Sequence, residues 1–394
     1  MLWGLLPLFV LAHTSHHIVS ALLTPLLPFI RDEFTLDYTQ VGVLTSAYNL
    51  AYGVSQLPAG WLADRIGARM VLTIGVAGVA LVGLLTGLSP SYVLLAVFLL
   101  LMGIAGGGYH PAASPLVSAA VEPRYRGRAL GIHQIGGSIS FFVAPLIAAG
   151  LAAALGWRGS FLAISIPTII FGVIFYVLLG RLGYAKKTTV KASETHIESP
   201  PQPGQLCRLV AVVILGISGM VLLYSAMSFI PLYIVDHFGI SEEAAAAMLA
   251  LCVSGGLWAG PLGGFLSDRI GKLPMLVAVG IIGGPAVYLM NVVPFGWAFS
   301  AVLIIIGMAQ YLGMPVVEAY ILSHVSESKR STVLGIYYFG SRGGPGVIAP
   351  AIGYLIDQYG FYNGFSIVAA VTVGITIICA LLCLWKRELN LSNK

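Results

Sequence analysis

The sequence predicts an all-α membrane protein with twelve transmembrane helices in two pseudo-symmetric six-helix bundles, and three observations carry that prediction. The 394 residues are 58% hydrophobic and only 9% charged, with a mean hydropathy of +0.93, which leaves too little polar side chain to cover a water-facing surface. Apolar runs of the length a bilayer demands, about 20 helical residues for a hydrocarbon core of roughly 30 Å, recur along the whole chain. A polar stretch between two such runs, Gly60-Trp61-Leu62-Ala63-Asp64-Arg65-Ile66-Gly67-Ala68-Arg69, returns as Gly264-Phe265-Leu266-Ser267-Asp268-Arg269-Ile270-Gly271-Lys272. Asp64 and Asp268 stand 204 residues apart, the spacing of a duplicated membrane-embedded unit.

The apolar runs fall near 3–30, 38–62, 69–88, 91–118, 127–151 and 158–180, and again near 207–234, 243–266, 274–293, 297–323, 330–354 and 362–384. Lipid offers no water to backbone N–H and C=O groups, so each run is a helix. Residues 1–180 form an N-terminal six-helix bundle, 181–206 a cytoplasmic linker rich in Lys, Ser, Thr and Pro, and 207–394 a C-terminal six-helix bundle with a short tail. The first run lacks a basic segment before it and a small-residue cleavage site before Arg31, so it reads as a retained span.

Lys and Arg set the orientation. With the N-terminus cytoplasmic, that side collects Arg65, Arg69, Arg124, Arg126, Arg128, Arg181, Lys186, Lys187, Lys191, Arg208, Arg269, Lys272, Lys329, Arg330, Lys386, Arg387 and Lys394. The outer side keeps only Arg31 and Arg158, and Arg342 is left inside a span. The positive-inside rule therefore places both termini in the cytoplasm of a multi-pass protein of the cell inner (plasma) membrane. The net charge of +5 reports this orientation and gives no reason to expect nucleic acid. Cys207, Cys252, Cys379 and Cys383 show neither a disulfide pattern nor metal-ligand spacing. The chain is expected to act as a monomer in the bilayer, without a cofactor.

Sliding one half over the other by 204 residues also pairs Gly103 with Gly307, Pro111 with Pro315, Arg126 with Arg330, Leu130-Gly131-Ile132 with Leu334-Gly335-Ile336, Gly136 with Gly340, and Gly156 with Gly360. A single offset thus holds from the second span to the sixth. Two bundles related in this way imply a site at their shared interface near the midplane, opened to alternate sides by rocking.

The repeated stretch between spans two and three and between spans eight and nine, together with Gly156-Trp157-Arg158 before span six, resembles the major facilitator superfamily. The resemblance covers nearly the whole chain and implies a secondary transporter working by alternating access. It assigns Gly60, Asp64, Arg65, Gly67 and Arg69, with Asp268 and Arg269 of the second copy, to a cytoplasmic gating motif. A carboxylate near one helix start and cations near another helix end make a latch that opens without unfolding anything. Tyr109-His110-Pro111, the span-one histidines and Gln134-x-Gly136-Gly137 look similar to the fosmidomycin-resistance-like branch of drug and metabolite exporters. Two departures stand against a simple drug antiporter: Leu99 where such proteins carry a span-four Arg, and Ala144-Pro145 in place of a fuller Gly-Pro signature.

An ionisable group at membrane depth costs a few kcal/mol, so each is a functional candidate. Glu318 is the one carboxylate well inside a helix and the first choice for the proton-coupling residue, with a structural pair to Arg342 as the alternative. Arg342 lies about twelve residues into span eleven, about 18 Å along the helix. Its planar fork suits a carboxylate or phosphate, and it reads as the anchor for an anionic substrate. In the N-terminal half, His13, His16 and His17 share span one, His110 sits in span four and His133 in span five. Of these, His17 and His110 are candidates for proton coupling and substrate binding, and His133 for substrate binding. Imidazole also suits zinc, copper, iron and nickel, but no Cys or acid in that half joins the group, so no metal site is assigned. Tyr52, Gln134, Tyr224, Gln310, Tyr337 and Tyr338 complete the substrate-binding candidates, with Tyr48, Asn49, Gln56 and Tyr311 beside them.

These readings favour a non-enzymatic carrier of a small organic anion, proton-coupled, with efflux of a drug or metabolite ahead of uptake of a carboxylate by symport. A metal or metal-chelate transporter using the histidines is a further reading. A membrane-embedded metalloenzyme would need a carboxylate that the N-terminal spans do not supply. A transport-inactive sensor would need a signalling domain.

Overall fold

The computed structural model describes residues 5–119, 121, 122, 125–181, 205–325 and 327–392. Most of the expected linker lies outside these residues, as do Arg124, Lys186, Lys187, Lys191, Lys394 and the side chains of Lys329, Arg330, Lys386 and Arg387. All regular structure among the described residues is helical.

In the first half the order is α1 (Leu6–Ser20), α2 (Leu23–Phe34), α3 (Tyr38–Ile66), α4 (Ala68–Thr73), a π-helical turn (Ile74–Gly78), α5 (Val79–Gly87), α6 (Tyr92–Gly107), α7 (Tyr109–Ala119) and α8 (Arg126–Arg181). In the second half it is α9 (Gln205–Met227), α10 (Ile230–Phe238), α11 (Glu242–Val253), α12 (Gly255–Ile270), α13 (Lys272–Leu289), α14 (Trp297–His324) and α15 (Glu327–Ser392). Nine stretches among the described residues are long and apolar enough to cross a membrane, the two longest running 54 and 51 residues. Each of those two breaks at a glycine with positive φ, Gly156 at 69° and Gly360 at 76°. Helix α3 is not among the nine; Gln40, Thr45, Ser46, Asn49, Ser55 and Gln56 make it more polar.

The duplication read from the sequence is present in the backbone. Gly67 (φ 90°) and Gly271 (φ 94°) turn the chain at equivalent places, and Gly156 and Gly360 do so again, each pair at the 204-residue offset. These φ values lie where a Cβ would be strained, which is why glycine stands at both copies. Packing repeats as well: a Cβ at Gly103 would collide with the carbonyl oxygen of Tyr48, and one at Gly307 with that of Cys252, the same pair of positions shifted by the offset. Small residues let helix backbones touch where lipid provides no hydrophobic drive between helices.

The two halves meet along a seam of α3 against α15. A Cβ at Gly42 would stand 2.6 Å from the Ala349 oxygen, one at Gly53 2.6 Å from Gly343 Cα, and one at Gly346 2.7 Å from the Leu50 nitrogen. At the Asp357 end of this seam the halves are also joined by polar groups. Asp357 accepts hydrogen bonds from the backbone N–H groups of Tyr38 (2.9 Å) and Thr39 (2.8 Å) and from the Thr39 hydroxyl (2.5 Å). Asp37 caps the same helix through a reciprocal box with Gln40. Helix α3 therefore begins on two carboxylates, one local and one from the other half, where its dipole favours negative charge. Arg31 pairs with Asp236, which also accepts from the Tyr38 hydroxyl at 2.5 Å.

Candidate functional site

Between the halves lies a cavity with an empty volume of about 920 Å³, part of it open to solvent. Its wall includes His17, Ser20, Tyr48, Asn49 and Tyr52 from the first half and Tyr224, Tyr311, Ser341 and Arg342 from the second. A few polar groups on an otherwise apolar wall, at the junction of two bundles, is the usual form of a small-molecule site.

Arg342 defines its chemistry. The Nη2 group points at the thioether sulfur of Met314, 3.7 Å away, and among the described residues that is its one hydrogen-bond acceptor. Sulfur is a weak acceptor, and a guanidinium carries five N–H donors, so most of this charge-bearing group is unmatched by protein. Glu318 forms no ion pair with it in this conformation. Instead the Glu318 carboxyl faces the Tyr338 hydroxyl, and its Oε1 is buried without a partner. Among the described residues Glu318 and Arg342 thus form no ion pair, and both keep free hydrogen-bonding capacity.

The histidines converge on the other side. Nδ1 of His13 donates to the carbonyl of His133 at 2.8 Å, Nδ1 of His133 to the carbonyl of Phe9 at 3.1 Å, and Nδ1 of His16 to the carbonyl of Gly75 at 2.6 Å. A carbonyl can only accept, so in all three rings Nδ1 carries a proton, and in the neutral ring Nε2 holds the lone pair. Gly75 lies in the π-helical turn, a local widening often found at functional sites. His16 Nε2 lies 3.4 Å from the Tyr52 hydroxyl, and Nε2 of His17 lies 3.3 Å from Nε2 of His110. Tyr109 stacks on His16 with ring centroids 4.2 Å apart.

Of the substrate-binding candidates, His17, Tyr52, Tyr224 and Arg342 line the cavity, and His110 reaches it through His17. His133 is buried against α1, Tyr337 is buried, and Tyr338 stands beside Glu318. Gln310 is buried and lines a smaller pocket with Leu215, Gly216 and Met314, while Gln134 is exposed one position round the helix from His133. Sequence reasoning passed over Ser20, Thr24, Thr45, Ser228 and Ser341 in the wall. Hydroxyls in helices carry no signal of their own, because most bond the preceding turn. It also passed over Asp236, Asp357 and Tyr38, whose partners lie hundreds of residues away.

At the Asp64 end the gating residues are disengaged from each other. Asp64 and Asp268 form no ion pair among the described residues. Arg65 covers the Trp61 ring at 4.3 Å, Arg269 the Phe265 ring at 4.3 Å, and Arg69 the Tyr176 ring at 3.6 Å while donating to the Tyr176 carbonyl at 2.8 Å. Gly60 lies within α3, and Gly67 makes the turn into α4.

The sequence profile of the Major Facilitator Superfamily matches residues 9–293 and 209–394. A probable sulfoacetate transporter of Cupriavidus necator is 25% identical over 380 residues, covering 90% of this chain and 87% of that protein. The hexuronate transporter of Bacillus subtilis is 23% identical over 91% of this chain and 89% of its own length, and the fosmidomycin resistance protein of Escherichia coli 24% over 90% and 87%. Among solved structures, a POT family transporter in complex with 5-aminolevulinic acid superposes with a TM-score of 0.80 at 15% identity, covering 97% of this chain and 96% of that one. A bacterial homologue of the lysosomal transporter Spinster does so with a TM-score of 0.76 at 18% identity, covering 99% and 98%. With its repeated gating stretch, duplicated backbone and a profile match running through both halves, the chain belongs to the Major Facilitator Superfamily and is a multi-pass membrane transporter of small molecules, not an enzyme.

Proposed function

We propose that the protein carries a small organic anion across the cell inner membrane by alternating access, coupled to protons, with both termini in the cytoplasm. The observation that carries this reading is Arg342: a guanidinium in the wall of the central cavity whose single acceptor among the described residues is a thioether sulfur. Such a charge is costly in that setting and is matched best by the planar oxygens of a carboxylate, sulfonate or phosphonate. Relatives named for sulfoacetate, hexuronate and cis,cis-muconate share that chemistry.

Glu318 supplies the coupling. An acid that faces a tyrosine hydroxyl and lies on the same half as Arg342 takes a proton in one conformation and releases it in another as the cavity opens and closes. His17 and His110, whose Nε2 atoms lie 3.3 Å apart, are a second pair able to take up a proton while those lone pairs hold no other ligand. Residues 1–180 and 207–394 are the rocking bundles and 181–206 the linker between them. The Asp357 end, joined by Asp357, Asp236 and Arg31, is the closed outer gate, and the Asp64 end, where the gating residues are apart, faces the cytoplasm. We read the chain as a monomer.

Direction divides two readings. Proton-driven symport of an organic acid follows from Arg342 and from the relatives named for acids. Export follows from the relative named for fosmidomycin resistance and from the sequence resemblance to that branch. The test is a thermal-shift screen of organic acids against the wild type and Arg342→Ala in detergent: stabilisation by a carboxylate or sulfonate that the variant loses supports the reading. Stabilisation only by neutral or cationic compounds, equal in both proteins, contradicts it.

A further inference from the structure

We propose that His13, His17 and His110 form a binding site for a divalent ion of the zinc class. The site joins α1 to α7 on the first-half side of the cavity. One ligand nitrogen from each of the three rings lies within 4.8 Å of the other two. The His17–His110 separation carries the argument further. Two nitrogens bound to one tetrahedral ion at about 2.0–2.1 Å stand about 3.3–3.4 Å from each other. Nε2 of His17 and Nε2 of His110 are 3.3 Å apart already, before any ion is added.

The third ring is prepared for the same role. His13 gives its Nδ1 proton to the His133 carbonyl at 2.8 Å, which fixes its tautomer and leaves the Nε2 lone pair free. An outer hydrogen bond to a backbone carbonyl is the usual second support of a metal-bound imidazole. That Nε2 is buried without a partner in a ring 2% exposed, a position that is unfavourable unless something fills it. The His13 ring centre stands 5.0 Å from those of both His17 and His110, so a cation with three nitrogen ligands is the natural partner for this buried group.

The His17–His110 contact does not oppose this. Without an ion, one ring lends its N–H to the other. With one, the lending ring moves its proton to Nδ1, so both Nε2 atoms present lone pairs and neither ring changes charge. His16 takes no part, since its Nδ1 is bonded to Gly75 and its Nε2 faces Tyr52. Three histidines leave a tetrahedral ion one open position, and His17 is the ligand that lines the cavity, so the position is reached from there. Imidazole ligands without carboxylate select zinc, copper, nickel or cobalt over magnesium and calcium. The ion would add a positive centre on the wall facing Arg342, and an anion in the cavity could use both.

The test is titration of the full-length, tag-free protein in detergent with Co²⁺, read by the visible absorption of tetrahedral cobalt. The expected result is one ion per chain, displaced by Zn²⁺, with affinity at least about 100-fold weaker in His17→Ala and in His110→Gln, because even supporting groups around a metal contribute about 10–100-fold. His16→Gln binds as the wild type does. X-ray absorption of the Zn²⁺-loaded wild type gives a reading that depends on no variant and is expected to show scattering from several imidazoles. Absence of Co²⁺ binding, unchanged binding in both His17→Ala and His110→Gln, or zinc held only by oxygen or sulfur overturns the proposal. None of these measurements involves transport, so a failure here leaves the anion-carrier reading where it stands.

Discussion

The two halves of this transporter share a backbone and differ in chemistry. Gly67 and Gly271 make the same turn, Gly156 and Gly360 the same break, and Gly103 and Gly307 the same close contact with the neighbouring helix. At the same offset, however, Ser138 stands against Arg342, Ser114 against Glu318, and His133 against Tyr337. The duplicated positions are those where backbone geometry or helix approach leaves one residue type. Of the diverged positions, Arg342 lines the cavity, while His133 and Tyr337 are buried and Ser114 is exposed. The backbone turns are repeated in both halves, whereas Arg342, Glu318 and the span-one histidines have no like residue at the offset.

The largest test of this division is the residue with no counterpart. Arg342→Ala is expected to weaken binding of the organic anion by about 2–5 kcal/mol, from about 30-fold to several thousandfold, the range for removing one partner of a buried charge pair. Titration calorimetry on purified protein reads it. Ser138→Ala, at the equivalent place in the other half, should stay near wild type. Next, Glu318→Gln is expected to keep exchange of labelled for unlabelled anion while losing at least about 10-fold of the accumulation driven by a pH gradient, as follows when a protonatable group that pays for transport against a gradient is made neutral. Equal losses in both assays would return Glu318 to a structural role.

A smaller effect tests the closed end. Asp357→Asn removes the charge that caps α3 from the other half, a contribution of about 0.5–2 kcal/mol. The expected readout is a shift toward conformations open at the Asp357 end, seen as faster labelling of a cysteine placed at Ser228 in a background with the native cysteines replaced. The smallest effect is Gln134→Ala. That side chain is exposed, so transport should remain within about 2-fold, the scale of surface substitutions away from a site. A larger loss would bring Gln134 into the pathway in a conformation other than this one.

Much of the fold was legible because membrane helices obey few rules. Asp64 and Asp268 gave the offset, and that offset correctly anticipated the glycines at which both halves turn and break. The site was legible in kind and less so in detail. Arg342 and His17 stood out because charge and imidazole are expensive in lipid, and both line the cavity. Gln134 and His133 are neighbours in sequence, yet one is exposed and the other buried. A helix that faces lipid on one side and apolar protein on the other has no polar face to fix its rotation, so a step of about 100° per residue stayed undetermined. Asp357 was not legible at all. Nothing near it in the sequence separates a carboxylate that caps a helix 319 residues away from one in a solvated turn.

The most direct test of the central claim is transport into proteoliposomes of one radiolabelled organic anion, chosen from the thermal-shift screen, with an imposed pH gradient. The account predicts accumulation in the wild type that collapses when the gradient is dissipated, no transport in Arg342→Ala, and gradient-independent exchange in Glu318→Gln. Undiminished accumulation of the anion by Arg342→Ala would contradict it.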